Sequence, residues 1–304
     1  MIAQWVVVFK GPVCLGKLEK FVYIFSIALY NEIMADLLND SQFNMYRDLI
    51  YKSSGITFSD TNRSILDSRL KERLREKQLD NVDTYYAMVT SDQEEFKLFL
   101  DSITTNLTRF FRNQPHFDAL INYVIPHLIE DKKKTGQTKI NIWSAGCSTG
   151  EEPYTIAMLL KDKLPAPYTF SIKASDISLK SLMVGRQGFY QNSRITGIPQ
   201  VYLDRFFTKS TDGYQVKPEL LSCINFDYHN LANDSGVKDL DIVFCRNVLI
   251  YFDEEAQKAT IDRFWNSMAK HSYLFIGHSE SLFGMDTKFK FLKTQWACLY
   301  EKGE

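Results

Sequence analysis

From Met34 to Asn113 the apolar positions recur at three- and four-residue intervals with few glycines or prolines between them, which predicts a run of helices. Phe43, Tyr46, Leu49 and Ile50 share one face of a short helix that the Ser53-Ser54-Gly55 break closes. Ser64 to Leu79 is a second helix, with Leu66, Leu70 and Leu74 forming its buried stripe. Arg69, Arg73 and Lys77 are also spaced four apart, so they line a neighbouring face. Asp83 to Met88 and Gln93 to Ile103 add two further helices. The polar cluster Thr104-Thr105-Asn106-Leu107-Thr108 suits a helix boundary. Beyond it, Phe117 to Ile129 is amphipathic again, and Lys132-Lys133-Lys134-Thr135-Gly136 has the look of an exposed linker.

From Lys139 the period changes. Lys139 to Ala145 is a strand, followed at once by Gly146-Cys147-Ser148-Thr149-Gly150 and a helix over Glu151 to Lys163. That helix carries acids and Pro153 in its first turn, where the dipole favours the charge and the missing N–H costs nothing. Tyr168 to Ser175 is a second strand ending at Asp176, and a short helix spans Leu179 to Gly185. Asp241 to Cys245 is a buried strand ending at Arg246-Asn247, and Asp253 caps a helix running to about Lys270. Tyr273 to Ile276 and Trp296 to Tyr300 complete a doubly wound α/β pattern. Between Gly188 and His229 the alternation lapses into short segments broken by Gly197, Pro199, Gly213 and Pro218. A small antiparallel β-subdomain inserted between two strands of the main sheet fits that stretch.

The chain thus divides into an N-terminal extension (1–33), an all-helical domain (34–103), a connecting segment (104–135) and an α/β domain (136–304) with its insert at about 188–229. The extension holds two short apolar runs, Trp5 to Phe9 and Phe21 to Tyr30, both well under the ~20 residues that span a bilayer. It is either an added element or a stretch upstream of a true start at Met34 or Met45.

Composition narrows the function. Lys+Arg 36 against Asp+Glu 37 argues against a surface coated in positive charge for wrapping nucleic acid. The five cysteines are scattered without C-x-x-C spacing, so neither a disulfide framework nor a metal centre is expected, and a reducing cytoplasmic compartment is the default. Nothing asks for membrane insertion or an obligate dimer, so a monomer is expected.

In an open α/β sheet, ligands bind at the carboxyl ends of the strands. Those ends carry Gly146/Gly150, Asp176 and Arg246/Asn247. The first turn is G-x-x-x-G, neither a dinucleotide fingerprint nor a phosphate loop. Asp176 can accept both hydroxyls of a ribose, while Glu151 stands where a pyrophosphate would need neutral donors. Together they favour a nucleoside without phosphates, S-adenosylmethionine (SAM) foremost. Taken singly, Asp176 could be a helix cap and Arg246-Asn247 a strand-end turn.

Four ordered segments carry a more specific signal: Thr104 to Arg112 (TTNLTRFFR), Trp143 to Tyr154 (WSAGCSTGEEPY), Ala174 to Ile177 (ASDI) and Phe244 to Phe252 (FCRNVLIYF). With Gly277-His278-Ser279-Glu280-Ser281, they make the chain from Met34 onward resemble the chemotaxis receptor glutamate methyltransferases, the CheR family. The resemblance implies a helical N-terminal domain, a Rossmann-like SAM-binding domain and the small β-subdomain within it. It implies that Asn106, Thr108 and Arg112 close over the cofactor, that Glu151 meets its methionine end and Asp176 its ribose, and that Asn230, Leu231, Arg246 and Asn247 complete the pocket. Arg112 and Tyr251 would lie nearest the transferred methyl group, leaving S-adenosylhomocysteine as product and requiring no metal. The partner would be the cytoplasmic domain of a chemoreceptor, with the enzyme recruited to membrane receptor arrays. The stripe Arg69, Arg73, Lys77 would face its acidic methylation helix, although a solvated helix face explains the same spacing. The short turn Thr208 to Tyr214 suggests a member that needs no receptor tether peptide. Two other functions fit the fold: a non-catalytic SAM-binding scaffold or sensor, and a methyltransferase for another substrate such as nucleic acid. Against the latter, Arg246-Asn247-Val248-Leu249 lacks the prolines of amino-methylating enzymes, and the chain has no Pro-Cys pair.

Overall fold

The computed structural model describes residues 37–104 and 107–303, so the N-terminal extension lies outside the described residues. Helix α1 (Asp40–Ser54) opens on a reciprocal cap: Asn39 Oδ1 accepts the Gln42 N–H at 2.9 Å, and Gln42 Oε1 accepts the Asn39 N–H at 3.1 Å. It closes at Gly55, whose left-handed backbone returns its N–H to Tyr51. Helices α2 (Arg63–Lys77), α3 (Val82–Ser91) and α4 (Gln93–Ile103) complete the helical domain. Its core joins Phe43, Tyr46 and Ile50 to the expected leucine stripe and to Tyr85 and Phe99.

The basic stripe of α2 is not a uniform surface. Arg73 is buried, and its guanidinium pairs with Glu95 of α4 and with Glu76, while Lys77 also pairs with Glu95. The Glu95 side chain is fully enclosed and takes a further hydrogen bond from the Tyr85 hydroxyl at 2.8 Å. Burial alone would push this carboxyl up, but the bonds from Lys77, Arg73 and Tyr85 outweigh it and hold it below the usual range. Of the three residues expected on a docking face, two are therefore spent cross-linking α2 to α4. Four-residue spacing fixes the face but not what packs against it.

Helix α5 (Gln114–Ala119), a π-turn over Leu120–Val124 and helix α6 (Ile125–Thr135) run on continuously. The lysine-rich stretch expected as a linker is the last turn of α6. Lys132 is buried and pairs with Asp241 at 2.7 Å, an ion pair whose partner lies far along the chain. The true connection is the short step from Gly136 into strand β1 (Lys139–Ala145).

The main sheet then forms around β1. Helix α7 (Glu151–Lys163) leads to β2 (Thr169–Asp176), and helix α8 (Leu179–Gln187) leads into the insert. The insert consists of β3 (Phe189–Gln191), helix α9 (Gln200–Phe206), β4 (Phe207–Lys209), β5 (Gly213–Val216) and the single turn α10 (Pro218–Leu221). Its strands form an antiparallel sheet in the order β3-β5-β4. It ends sooner than the sequence suggests, because β6 (Ile224–Tyr228) pairs in parallel with β2 as the edge of the main sheet. Strand β7 (Leu240–Cys245), buried along its whole length, returns beside β1. Helix α11 (Glu254–Ser267) and β8 (Met268–Ile276) follow, then an antiparallel pair, β9 (Lys290–Lys293) and β10 (Cys298–Lys302). The order β6-β2-β1-β7-β8-β10-β9 puts the switch of winding direction between β1 and β7. Strand β9 left no alternation to read, since only Leu292 of its four residues is half-buried.

Candidate functional site

The crevice at a winding switch is where an open sheet binds ligands, and here it opens between the ends of β1 and β7. The turn after β1 folds back over β2: the Gly146 and Cys147 N–H groups both donate to the Ser175 carbonyl, at 2.8 and 2.9 Å. Ser148 N–H donates to Asp176 Oδ2 at 2.7 Å, and Ser178 N–H to Oδ1 at 2.9 Å. Burial pushes the Asp176 carboxyl upward while these backbone donors pull against it. Gly146 has φ +77°, and a Cβ there would stand 2.4 Å from Val248 Cγ2. The turn is thus clamped between the two strand ends.

A buried ion pair forms one wall. Glu152 accepts a bond from Ser144 Oγ at 2.7 Å and pairs with Arg246 at 3.2 Å. Arg246 also donates to the Arg112 carbonyl and lies over the Phe117 ring, 5.3 Å from its centroid. Burial drives the Glu152 carboxyl up and the Arg246 guanidinium down, each opposed by the partner's charge. Arg112, half-buried at the mouth, donates from Nη1 to the Leu107 carbonyl at 2.8 Å, which curls the connecting segment over the cleft.

The helical domain supplies the opposite wall. Asn230 Nδ2 donates to the Ser53 carbonyl at 2.6 Å, Thr57 N–H donates to the Tyr251 carbonyl at 2.8 Å, and Ile56 forms an antiparallel bridge with Phe252. Ile56, Phe58 and Ile103 line the same cleft as Asp176, Asn247 and Tyr251.

Thr108, Arg112, Asp176, Asn230, Leu231, Arg246, Asn247 and Tyr251 line this one cleft. Asn106 lies outside the described residues. Glu151 is a correction: it is absent from the lining, fully buried, and paired with Arg194 of the insert. Successive helical residues turn by about 100°, so only one of two adjacent glutamates can face the cleft. That residue is Glu152. Sequence reasoning also passed over Val248, the Gly146 clamp, and Glu280, which holds the segment after β7. The Glu-Glu doublet and the Gly-His-Ser-Glu-Ser segment were visible, but neither shows which backbone it meets.

The donor set suits an uncharged nucleoside joined to an amino acid. Asn247 Oδ1 and Arg246 Nε are buried without hydrogen-bond partners among the described residues, and two carboxylates, Glu152 and Asp176, line the cleft. No group of three or more metal-ligating side chains occurs among the described residues, nor any helix long and apolar enough to cross a membrane.

Two family models match consecutive parts of the chain. "CheR methyltransferase, all-alpha domain" covers residues 41–104, and "CheR methyltransferase, SAM binding domain" covers residues 106–298. A chemotaxis protein methyltransferase of Borreliella burgdorferi is 37% identical over 244 residues, covering 78% of this chain and 86% of the relative. One from Escherichia coli is 35% identical over 261 residues, covering 83% of this chain and 88% of the relative. A third, chemotaxis protein methyltransferase 2 of Pseudomonas aeruginosa, is 35% identical over 246 residues, with 79% and 86% covered.

Proposed function

Because the chain belongs to the CheR methyltransferase family, we propose that it methylates glutamate carboxylates on the cytoplasmic helices of chemoreceptors, using SAM. The observation that carries the reading is the division of labour between two arginines. Arg246 is buried and committed to Glu152, whereas Arg112 stands at the mouth with one donor on Leu107 and the rest of its guanidinium available to an incoming anion.

Bound SAM supplies an electrophilic methyl group on a sulfonium. Asp176 would hold the ribose hydroxyls, Glu152 the ammonium of the methionine end, and Asn230, Leu231 and Asn247 the rest of the cofactor's outline. Thr108 and Arg112 close the connecting segment over it. Arg112 orients the acceptor carboxylate, and Tyr251, which lines the same cleft, stands by the transferred methyl group. A glutamate of ordinary pKa ~4.3 is already ionised at neutral pH, so no general base is needed. Rate comes from positioning two reactants in a water-poor cleft.

Of the stripe on α2, Arg69 remains the member not tied to α4 and is the one to meet an acidic receptor helix, its ion-pair partner being Glu72 on the same helix at 3.6 Å. The hairpin between β4 and β5 turns in three residues, which supports an enzyme that needs no tether peptide. The proposal is completed by a monomer that acts in the cytoplasm at receptor arrays. Measurable affinity for a receptor C-terminal peptide would sink the tether-free reading.

The deciding experiment supplies methyl-labelled SAM and a receptor cytoplasmic fragment, then counts label released as methanol by mild alkali. Alkali-labile label on the receptor is the expected result. Label that survives alkali would point to nitrogen or carbon acceptors, and no transfer despite SAM binding would favour a scaffold.

A further inference from the structure

Glu151 is a fully enclosed carboxylate that does not reach the cleft, in a place where an unpaired charge would be strongly destabilising. Its Oε2 accepts a hydrogen bond from Thr149 Oγ1 at 2.7 Å, and its Oε1 pairs with Arg194, in the loop after β3 of the insert. The same Arg194 nitrogen donates to Thr149 Oγ1 at 2.6 Å. Also from the insert, the Tyr190 hydroxyl donates to the Thr149 carbonyl at 2.7 Å. That hydroxyl lies so near Gly150 that a Cβ there would meet it at 3.0 Å. Tyr190 in turn packs edge-on against Phe110 of the connecting segment, with ring centroids 4.9 Å apart. Thr149 is therefore gripped at both its side chain and its carbonyl by residues of the insert, yet it belongs to the turn that builds the floor of the cofactor cleft.

We infer that Arg194 is a positioning residue for cofactor binding: through Glu151 and Thr149 it fixes the Gly146–Gly150 turn, so that the inserted subdomain sets the affinity of a cleft it does not line. This rests on the reading of the cleft as a SAM site. It assigns the first glutamate of the doublet a role distinct from that of Glu152. Burial pushes the Glu151 carboxyl upward, and the Thr149 bond and the Arg194 charge oppose that shift. By reciprocity, whatever displaces Arg194 loosens the cofactor, and bound cofactor stiffens the insert.

The test measures S-adenosylhomocysteine affinity by calorimetry, which needs no receptor, alongside thermal unfolding. Arg194→Ala should weaken binding about ten-fold, with turnover at saturating SAM within about two-fold of the parent protein. Arg194→Lys, which keeps a donor and a charge, should restore affinity to within about three-fold. Thr149→Val leaves the ion pair but removes the hydroxyl it grips, and should weaken binding about five-fold. This variant stands in if Arg194→Ala does not fold. Parent-like affinity in either weakened variant, with only the melting temperature lowered, would make the pair a structural staple and overturn the inference. Absence of binding by the parent protein would instead overturn the cofactor reading, and this inference with it.

Discussion

Glu280, just past the end of β8, accepts the backbone N–H of Asn247 at 2.9 Å, so the segment that follows β7 is held by a side chain from the loop after its neighbouring strand. The same carboxylate takes the N–H of Ile250 at 3.2 Å and that of Gly277. Asn247 adopts φ +60°, and the one-turn 3₁₀ helix Leu249–Tyr251 hangs from these bonds. Glu280→Ala should therefore cost on the order of 2 kcal/mol of stability. It should also lower kcat more than SAM affinity, because Tyr251 loses its support. Urea unfolding and steady-state kinetics read the two effects separately.

Gly146→Ala combines a left-handed backbone with a methyl group aimed at Val248. The backbone penalty alone is about 1–2 kcal/mol, and the clash must open the turn. Cofactor affinity should fall steeply. Adding Val248→Ala should recover the part due to the clash and leave the part due to φ, which a calorimetric double-mutant cycle would separate.

Glu152→Ala would leave the Arg246 guanidinium buried beside Phe117 without its counter-charge, a loss of about 3–5 kcal/mol by analogy with other broken buried pairs. Cofactor binding should be lost with it. Glu152→Gln, keeping the shape and one acceptor, should retain the fold and bind cofactor more weakly, as calorimetry would register.

In the helical domain, Arg69→Glu should raise the Michaelis constant for receptor several-fold, within the range expected of a rim charge, and leave SAM affinity unchanged. Arg73→Ala should do something different. It removes a cation from the enclosed Glu95 carboxylate and should lower stability by about 3 kcal/mol. Kinetics separates a docking residue from a cross-link.

Acid sensitivity should show a histidine component. His116 is buried, and burial first, then the charges of Arg246 and His278, pushes its pKa down to about 4 from the ordinary 6.5. The unfolded chain therefore binds a proton between those values that the folded chain refuses. The stabilisation, about 3 kcal/mol, is complete above the unfolded pKa and fades as pH falls toward 4. Buried carboxylates with raised pKa, Glu151, Glu152, Asp176 and Asp241, act with the opposite sign over part of this range. The measurement is thus a difference: the slope of stability against pH between 4 and 6.5 should flatten in His116→Phe.

The two domains, the doubly wound sheet and eight of the cleft residues were legible because they depend on periodicity and on which residues end a strand. What escaped depends on partners distant in sequence. Lys132 reads as part of a charged linker until Asp241 is seen opposite it. Arg73 looks like a surface charge until Glu95 closes over it. The choice between Glu151 and Glu152 turns on which side of one helical turn faces the crevice, and the doublet alone is symmetric. The edge strand β6 lay hidden because its five residues follow the irregular insert without a clear break.

The Ile56–Phe252 bridge and the Asn230–Ser53 bond have a thermodynamic corollary. The cleft has walls drawn from the helical domain and from the α/β domain, so a ligand filling it acts as a pin through both. At a concentration one hundred times its dissociation constant, such a ligand adds about 2.7 kcal/mol to the folded state. Part of that must reach helices that hold none of the glycine turn. The melting of the N-terminal helices should thus report how much cofactor the cell contains.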